Sequence, residues 1–329
     1  VQTMTLVLDD ETIRDVFEWS AAIKALRDAY SGDVAGSRYP ERTMARGNQS
    51  WLRSLTGVSA DAGVMGAKLI AVSLKAQAAS YLIPLFDEQT AELVALLDGQ
   101  SVTGFRTAAT SALAADLLAP EGPLELAVIG SGFEAKNHVR ALAAARPLSS
   151  VRVWSPRAES RARFIAELAD LGLTITAADN AGDAVVSANV TLCAARSRDE
   201  TPVLHGAWLT PGSTVISIGS TLPEQREVDS DVWARADLVV ADMVAEVLHD
   251  TGDALAAIAD GVEIASKTVA LADVVSGAIS GRRHHSDIVV YKSVGSAVQD
   301  IAIASMSLRL ARARGLGAEL PVMFPPVQK

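Results

Sequence analysis

The run Glu125-Leu126-Ala127-Val128-Ile129-Gly130-Ser131-Gly132-Phe133-Glu134-Ala135 decides how this chain folds. It opens with the apolar pattern of a buried strand and breaks into Gly-x-Gly-x-x-Ala, and an amphipathic stretch, Lys136 to Arg146, follows. Strand, glycine turn and helix in this order make a seat for the pyrophosphate of a dinucleotide. Gly130 permits the tight turn, and Gly132 lets the backbone approach the phosphates. Ala135 lets the helix lie close to the sheet while its first N–H groups face the anion. Two glycines alone would equally fit an ordinary α/β turn; the flanking patterns single this loop out.

Outward from that loop, short apolar runs alternate with helical patterns. Strands are predicted at Leu124–Gly130, Val151–Ser155, Thr174–Ala178, Val190–Ala195, Thr214–Ser220 and Leu238–Asp242, with a helix at Ala158–Leu171. Such alternation predicts an α/β fold: a central Rossmann-type, doubly wound parallel sheet domain, placed at residues 120–291 and entered through Ala119-Pro120-Glu121-Gly122-Pro123. The flanks read differently. A helix at Ser20–Ser31 with Ser20 as N-cap precedes apolar runs at Trp51–Leu55, Val64–Val72, Tyr81–Phe86 and Leu93–Leu97, with a hairpin turn at Asp87-Glu88-Gln89-Thr90. Helical spacing returns at Ser101–Leu118, and again at Ser296–Arg314, ended by Gly315. That last helix is expected to return to the first part, so residues 1–119 and 292–329 form one discontinuous α+β domain.

Bulk properties narrow the partners. The 329 residues are 49% hydrophobic, enough for two cores. A net charge of −10 argues against a nucleic-acid partner. One cysteine, Cys193, excludes an internal disulfide, and with five scattered histidines leaves no pattern for a metal site. No apolar run approaches the roughly 20 residues of a membrane span, and no leader pattern opens the chain, so a cytoplasmic protein is expected.

Cofactor selectivity is read at the end of the second strand, where an acidic residue would bind the ribose of NAD. Here stand Ser155-Pro156-Arg157. With no carboxylate, and with a guanidinium able to pair with a 2′-phosphate, NADP(H) is favoured and NAD(H) stays open. Arg157 could instead simply begin a solvated helix face with Arg161 and Arg163.

Three segments carry a family likeness: Gly104-Phe105-Arg106-Thr107-Ala108-Ala109-Thr110-Ser111-Ala112, Val128–Ala135, and Tyr291-Lys292-Ser293-Val294-Gly295-Ser296-Ala297-Val298-Gln299-Asp300. In this order they resemble the ornithine cyclodeaminase/mu-crystallin family, over nearly the whole chain. The resemblance implies a substrate-binding and dimerisation domain around the dinucleotide domain, usually in a homodimer, acting on α-amino or α-imino acids with a nicotinamide cofactor. It implies that Arg42, Lys68 and Arg106 hold the substrate carboxylate, with Lys68 and Arg106 as the catalytic pair. Ser293 and Gly295 would lie near substrate and nicotinamide, and Thr107, Gly219 and Ser220 would join Gly130–Ala135, Ser155 and Arg157 around the cofactor.

Physical chemistry supports parts of this transfer. A carboxylate entering an apolar cleft needs a cationic partner, and guanidinium serves bidentately. Lys68 stands inside the apolar run Gly66-Ala67-Lys68-Leu69-Ile70, costly without a partner or a task, although an edge-strand lysine could snorkel. Arg106 is read at a helix start, a poor place for a cation unless an anion is present. Arg42 could equally pair with Glu41. His138 reads as a helix-face residue near Glu134, and Asp300 as a brace of the return helix, with a contact to the active site as the alternative. Met44, Ser80 and Thr221 are further candidates to face substrate or to pack.

The chain departs from the cyclodeaminases. Where they carry an aspartate in a Gly-x-Asp-x-Pro context, Thr221 stands in Gly219-Ser220-Thr221-Leu222-Pro223, and Trp51–Leu55 holds no carboxylate. Cyclisation with ammonia loss lacks its proton-managing groups. The expected reaction is therefore reduction of an α-imino acid, or the reverse dehydrogenation. Cyclodeamination, an alanine-type dehydrogenase and a non-catalytic crystallin-like protein are the alternatives.

Overall fold

The computed structural model describes residues 4–197 and 199–327. The chain divides into two compact units: one runs to Arg106 and resumes at Ser296, the other is Thr107–Gly295. In chain order the first unit supplies β1 (Leu6–Leu8), α1 (Asp10–Val16), α2 (Trp19–Ser31), β2 (Thr43–Arg46), β3 (Ser50–Val58), β4 (Val64–Ser73), β5 (Ala78–Asp87) and β6 (Leu93–Asp98). Helix α3 (Gly99–Leu118) begins in the first unit and ends in the second. The second unit continues with β7 (Leu124–Ile129), α4 (Phe133–Ala145), β8 (Leu148–Trp154), α5 (Ala158–Glu167), β9 (Ile175–Ala177), α6 (Ala181–Val185), β10 (Val190–Cys193) and β11 (Thr214–Ser217). It closes with α7 (Ser230–Arg235), β12 (Leu238–Ala241), α8 (Val244–Asp250), α9 (Gly252–Ala259), β13 (Thr268–Ala270), α10 (Leu271–Val275) and β14 (Val289–Lys292), after which α11 (Ala297–Arg314) and β15 (Ala318–Glu319) rejoin the first.

The units part inside α3 and after Gly295, whereas the sequence placed the borders at 119 and 291. Hydrogen bonds explain the shift. Within the second unit, Leu118 C=O accepts from Thr214 Oγ1 (3.3 Å) and Arg282 Nε (2.9 Å), and Ser111 Oγ meets His138 Nε2 at 3.0 Å. The Pro/Gly punctuation marks the end of α3, not the border of the unit.

The second unit is an eight-stranded, all-parallel sheet ordered β13-β12-β14-β11-β10-β7-β8-β9. Strand order reverses between β7 and β10, the switch point at which open α/β sheets bind ligands beyond their carboxyl ends. Its central strands are buried on both faces except at Glu125, and the polar residues that interrupt their apolar runs, Thr191, Thr214, Ser217 and Lys292, are themselves buried. Two predicted strands stop short: β10 ends at Cys193 and β11 at Ser217, because the chain beyond each turns into a loop whose N–H groups bond a side chain, that of Glu227.

The first unit holds a seven-stranded sheet, β15-β1-β6-β5-β4-β3-β2, antiparallel except for the β1–β6 pair. Asp87 makes the predicted turn by accepting the N–H groups of Gln89 (2.9 Å) and Thr90 (2.8 Å). Helix α2 starts one residue early, so Glu18 rather than Ser20 takes the N-cap position. Helix α11 packs on α2 and on β3, β4 and β5, and ends on Gly315 in the left-handed conformation (φ 65°).

Register divides this sheet into two chemically different faces. Met44 pairs with Arg53, Arg53 with Ile70, and Leu55 with Lys68, which puts Arg53 and Lys68 on one face as diagonal neighbours. The opposite face carries Ala45, Leu52, Leu69, Ala71, Ser80 and Leu82. Ser80, weighed as a substrate contact, therefore lies on the face away from Lys68.

Candidate active site

Two clusters answer the sequence-based candidates, one in each unit. In the first, the Lys68 ammonium rises from the middle of β4 and is 1% exposed. Its partner is Asp300 on α11, fully buried, whose Oδ1 accepts from Lys68 Nζ at 2.7 Å and from Arg106 Nε at 3.1 Å. Arg106 NH1 reaches Gln299 Oε1 at 2.7 Å, and Gln299 Nε2 donates to Tyr30 OH at 2.9 Å. Asp300 Oδ2 is buried and accepts no hydrogen bond from any described residue.

This arrangement settles what Lys68 does in the fold. It does not snorkel; burial and then the neighbouring Arg106 charge lower its ammonium to about 8, while Asp300 holds it up against them. Arg53, also buried, adds to the lowering. An amine tuned this far toward neutrality can exchange a proton in the physiological range. Arg106 lies two turns inside α3 rather than at its start, so Asp300, not a helix end, accounts for its burial. Arg42 precedes edge strand β2 and is partly exposed.

Asp300, read as a brace, is thus the hub of the cluster. Gln299, Tyr30 and Arg53 escaped the sequence reading. A Gln-Asp pair within an otherwise apolar helical pattern was the available signal, since polar side chains on a buried helix need buried partners.

In the second unit the glycine turn has the required shape. Gly130 adopts φ 116°, and a Cβ there would lie 2.6 Å from Ala194 C=O, so only glycine fits. Gly132 is the N-cap of α4, with no side-chain cap and with open space where a Cβ would stand. Ala135 is fully buried, while Phe133 is 45% exposed. The loop therefore presents backbone and the positive end of a 13-residue helix to its surroundings, a cradle that fits a dinucleotide pyrophosphate. Ser131 Oγ donates to Ser155 Oγ (2.9 Å), tying the loop to the end of β8, and Arg157 is exposed at the N-cap of α5.

The other candidates of this unit are braced by the fold. Asp242, after β12, accepts from Ser293 Oγ (2.7 Å), Val294 N–H (3.0 Å) and Gly295 N–H (2.8 Å), and Gly295 is left-handed at φ 85°. Ser220 Oγ donates to Gln225 C=O (2.7 Å), and Thr221 N–H and Oγ1 both face Gln225 Oε1 (2.9 and 3.3 Å). Thr107 is buried on α3. His138 lies beside Glu134 on α4, as read, and is buried: its Nδ1 meets Glu134 C=O at 2.7 Å, with Glu134 Oε2 4.0 Å away. Both ring nitrogens are engaged, Nδ1 with Glu134 C=O and Nε2 with the Ser111 hydroxyl. Among the described residues no group of His, Cys, Asp and Glu is arranged to hold a metal ion, and no helix is long and apolar enough to cross a membrane.

A doubly wound parallel sheet with a glycine turn at its switch point, joined to a mixed sheet bearing buried cations, defines a two-unit α/β protein of Rossmann type. The chain belongs to the ornithine cyclodeaminase/mu-crystallin family, which it matches over residues 47–311. It is 31% identical over 299 residues to the Delta(1)-pyrroline-2-carboxylate reductase of Paracoccus denitrificans, covering 89% of this chain and 92% of that one. The ketimine reductase mu-crystallin of Mus musculus is 28% identical, over 86% and 88% of the two chains. Among solved structures, the iminosuccinate reductase of Paracoccus denitrificans in complex with NAD+ superposes with a TM-score of 0.88 at 25% identity, over 97% of this chain and 100% of that one. The Thermococcus litoralis Delta(1)-pyrroline-2-carboxylate reductase, solved with NADH and L-proline, shares the fold at a TM-score of 0.89 and 23% identity, over 96% and 100% of the chains.

Proposed function

We propose that this chain is a nicotinamide-dependent oxidoreductase that reduces an α-imino acid, cyclic or open-chain, to the α-amino acid, or runs the reverse dehydrogenation. The observation that carries the reading is the buried Lys68–Asp300–Arg106 cluster. Relatives named as reductases of cyclic and open-chain imino acids support it. A nicotinamide dinucleotide held by its pyrophosphate at the glycine turn would supply the hydride for the carbon of the C=N bond.

The chain's own residues do the rest. Arg106 and Lys68 hold the substrate carboxylate, Arg106 through its planar donors. Lys68, tuned to about 8, delivers the proton that the nitrogen requires as hydride arrives, and takes it back in the reverse direction. Asp300 keeps both cations in place, and its Oδ2 is available to accept an N–H from the substrate nitrogen. Rate then comes mostly from orientation and charge placement. Thr221, held against Gln225, supplies no carboxylate for cyclodeamination. Arg42, Ser293 and Gly295 complete the proposed substrate contacts; Thr107, Gly130–Ala135, Ser155, Arg157, Gly219 and Ser220 the cofactor contacts, with NADP(H) preferred over NAD(H) through Arg157. The first unit is the substrate and homodimerisation domain.

A panel of five- and six-membered cyclic imino acids, and of 2-oxo acids with ammonia or methylamine, assayed with NADH and NADPH, tests the reading. Arg106→Ala should lower kcat/KM on the best substrate by roughly 2–4 kcal/mol of transition-state stabilisation, mostly through KM. Near-normal turnover by that variant would remove Arg106 from the carboxylate site.

A further inference from the structure

Glu227, in the segment leading to α7, is fully buried and was not among the residues that sequence reasoning selected. Its Oε1 accepts Ala195 N–H at 3.1 Å; its Oε2 accepts Gly219 N–H at 2.9 Å and Ser217 Oγ–H at 2.7 Å. Ala195 and Gly219 belong to different loops, those leaving the carboxyl ends of β10 and β11. One carboxylate thus pins both. A side chain at Gly219 would collide with that carboxylate, so the glycine is there to admit it. The first of these loops also bounds the glycine turn, since Ala194 C=O lies against Gly130.

Titratable and charged groups around Glu227 come from β14, α9 and β10, and Arg196, on the loop after β10, donates from NH1 to Gly219 C=O (3.4 Å). Lys292 on β14 donates to Ser217 Oγ (2.8 Å) and to Asp253 Oδ2 on α9 (2.9 Å), and Asp253 Oδ1 accepts Glu227 N–H (2.7 Å) and Val228 N–H (3.1 Å). Cys193 at the end of β10 contributes a thiol that burial, and then the Glu227 charge, keep protonated. Two carboxylates therefore share one ammonium in a fully buried site.

We propose that Glu227 is a positioning residue for the nicotinamide cofactor: by clamping the loops after β10 and β11 it holds the backbone that receives the nicotinamide-bearing half of the dinucleotide, and protonation opens the clamp. Placement of that half beyond β10 and β11 follows from the doubly wound topology, in which the second set of strands past the switch point takes the second nucleotide. The inference rests on the cofactor reading given above. Its mechanism is hydrogen-bond arithmetic. An ionised carboxylate accepts from all three donors; a protonated oxygen becomes a donor itself. The protonated group keeps acceptor lone pairs but loses the charge that strengthens all three bonds, and it must place its own proton: on Oε1 that proton competes with Ala195 N–H, and on Oε2 the Ser217 hydroxyl has to turn and accept it, so the hold on both loops weakens. Burial raises the Glu227 carboxyl to about 7, with Lys292 opposing, so the clamp is closed above neutrality and opens below it.

Fluorescence titration of the full-length protein with NADH and NADPH, at pH values on both sides of 7, tests this. The wild type should bind more weakly as pH falls through neutrality, by roughly tenfold overall, as loss of charge assistance in buried hydrogen bonds implies. Glu227→Gln should bind more weakly at high pH and show no such slope. Ser217→Ala, which removes one hydroxyl that favours the ionised form, should fold normally and move the midpoint of the affinity profile to higher pH. Wild-type affinity in Glu227→Gln, a slope that survives in it, or an unmoved midpoint in Ser217→Ala would each overturn the proposal while leaving the cofactor reading intact. If neither dinucleotide binds the wild type at any pH, the cofactor reading itself fails, and this inference with it.

Discussion

Asp300 Oδ1 serves two cations at once, and removing its charge separates the consequences. With the carboxylate gone, nothing opposes the burial and the Arg106 charge that lower Lys68, so its ammonium falls below about 8. Reduction needs protonated Lys68, so in the wild type its rate falls as pH rises through about 8, whereas the reverse dehydrogenation needs the neutral amine and rises over the same range. In Asp300→Asn the alkaline limb of the reductive pH–rate profile should move to lower pH. The variant should also be less stable by about 3–5 kcal/mol, because Arg106 would keep its charge in a buried site without a counter-ion and Lys68 would have to give up its proton to stay buried. Denaturant unfolding measures the second effect and the pH profile the first. An unmoved limb would assign the titration to a group other than Lys68.

At the scale of the element, the glycine turn separates what the fold needs from what the ligand needs. Gly130→Ala forces a side chain into the left-handed region and against Ala194 C=O, so it should cost more than about 1 kcal/mol of stability and weaken cofactor binding. Gly132→Ala meets neither obstacle: φ is −83° and the space is open. It should melt like the wild type and still bind the dinucleotide more weakly, since its methyl would occupy room reserved for phosphate. Equal affinity in Gly132→Ala, measured by titration with NADH and NADPH, would place the phosphates elsewhere. This turn was legible because its chemistry is local: strand, turn and helix each leave a mark within eleven residues. The Asp300 hub was not, because Lys68 and Asp300 stand 232 residues apart and no local pattern announces which buried charges will meet. Glu227 was hidden for the same reason, its backbone partners lying on loops that looked like the ends of strands.

For the molecule as a whole, charge decides how copies of the chain can associate. At a net −10 two copies repel at long range, so a homodimer needs a contact surface free of like charges. The mixed sheet of the first unit has such a surface. Arg46, Arg53 and Lys68 all point to the face that α11 contacts, while the opposite face of β2 to β5 carries Ala, Leu, Ser and Thr residues with Val58, Met65, Pro84 and Phe86, and no charge. Leu52 and Leu82 are 48% and 43% exposed there, two large apolar side chains on an uncharged face. Glutamate at both positions would set like charges against each other across a two-fold contact, each also desolvated on association. Light scattering during size-exclusion chromatography should therefore find a dimer for the wild type and a monomer for the Leu52→Glu/Leu82→Glu variant, with Lys68 chemistry untouched because the substitutions face away from it. A wild type that elutes as a monomer would remove the homodimer from the proposed function; a double variant that stays dimeric would move the interface off this sheet.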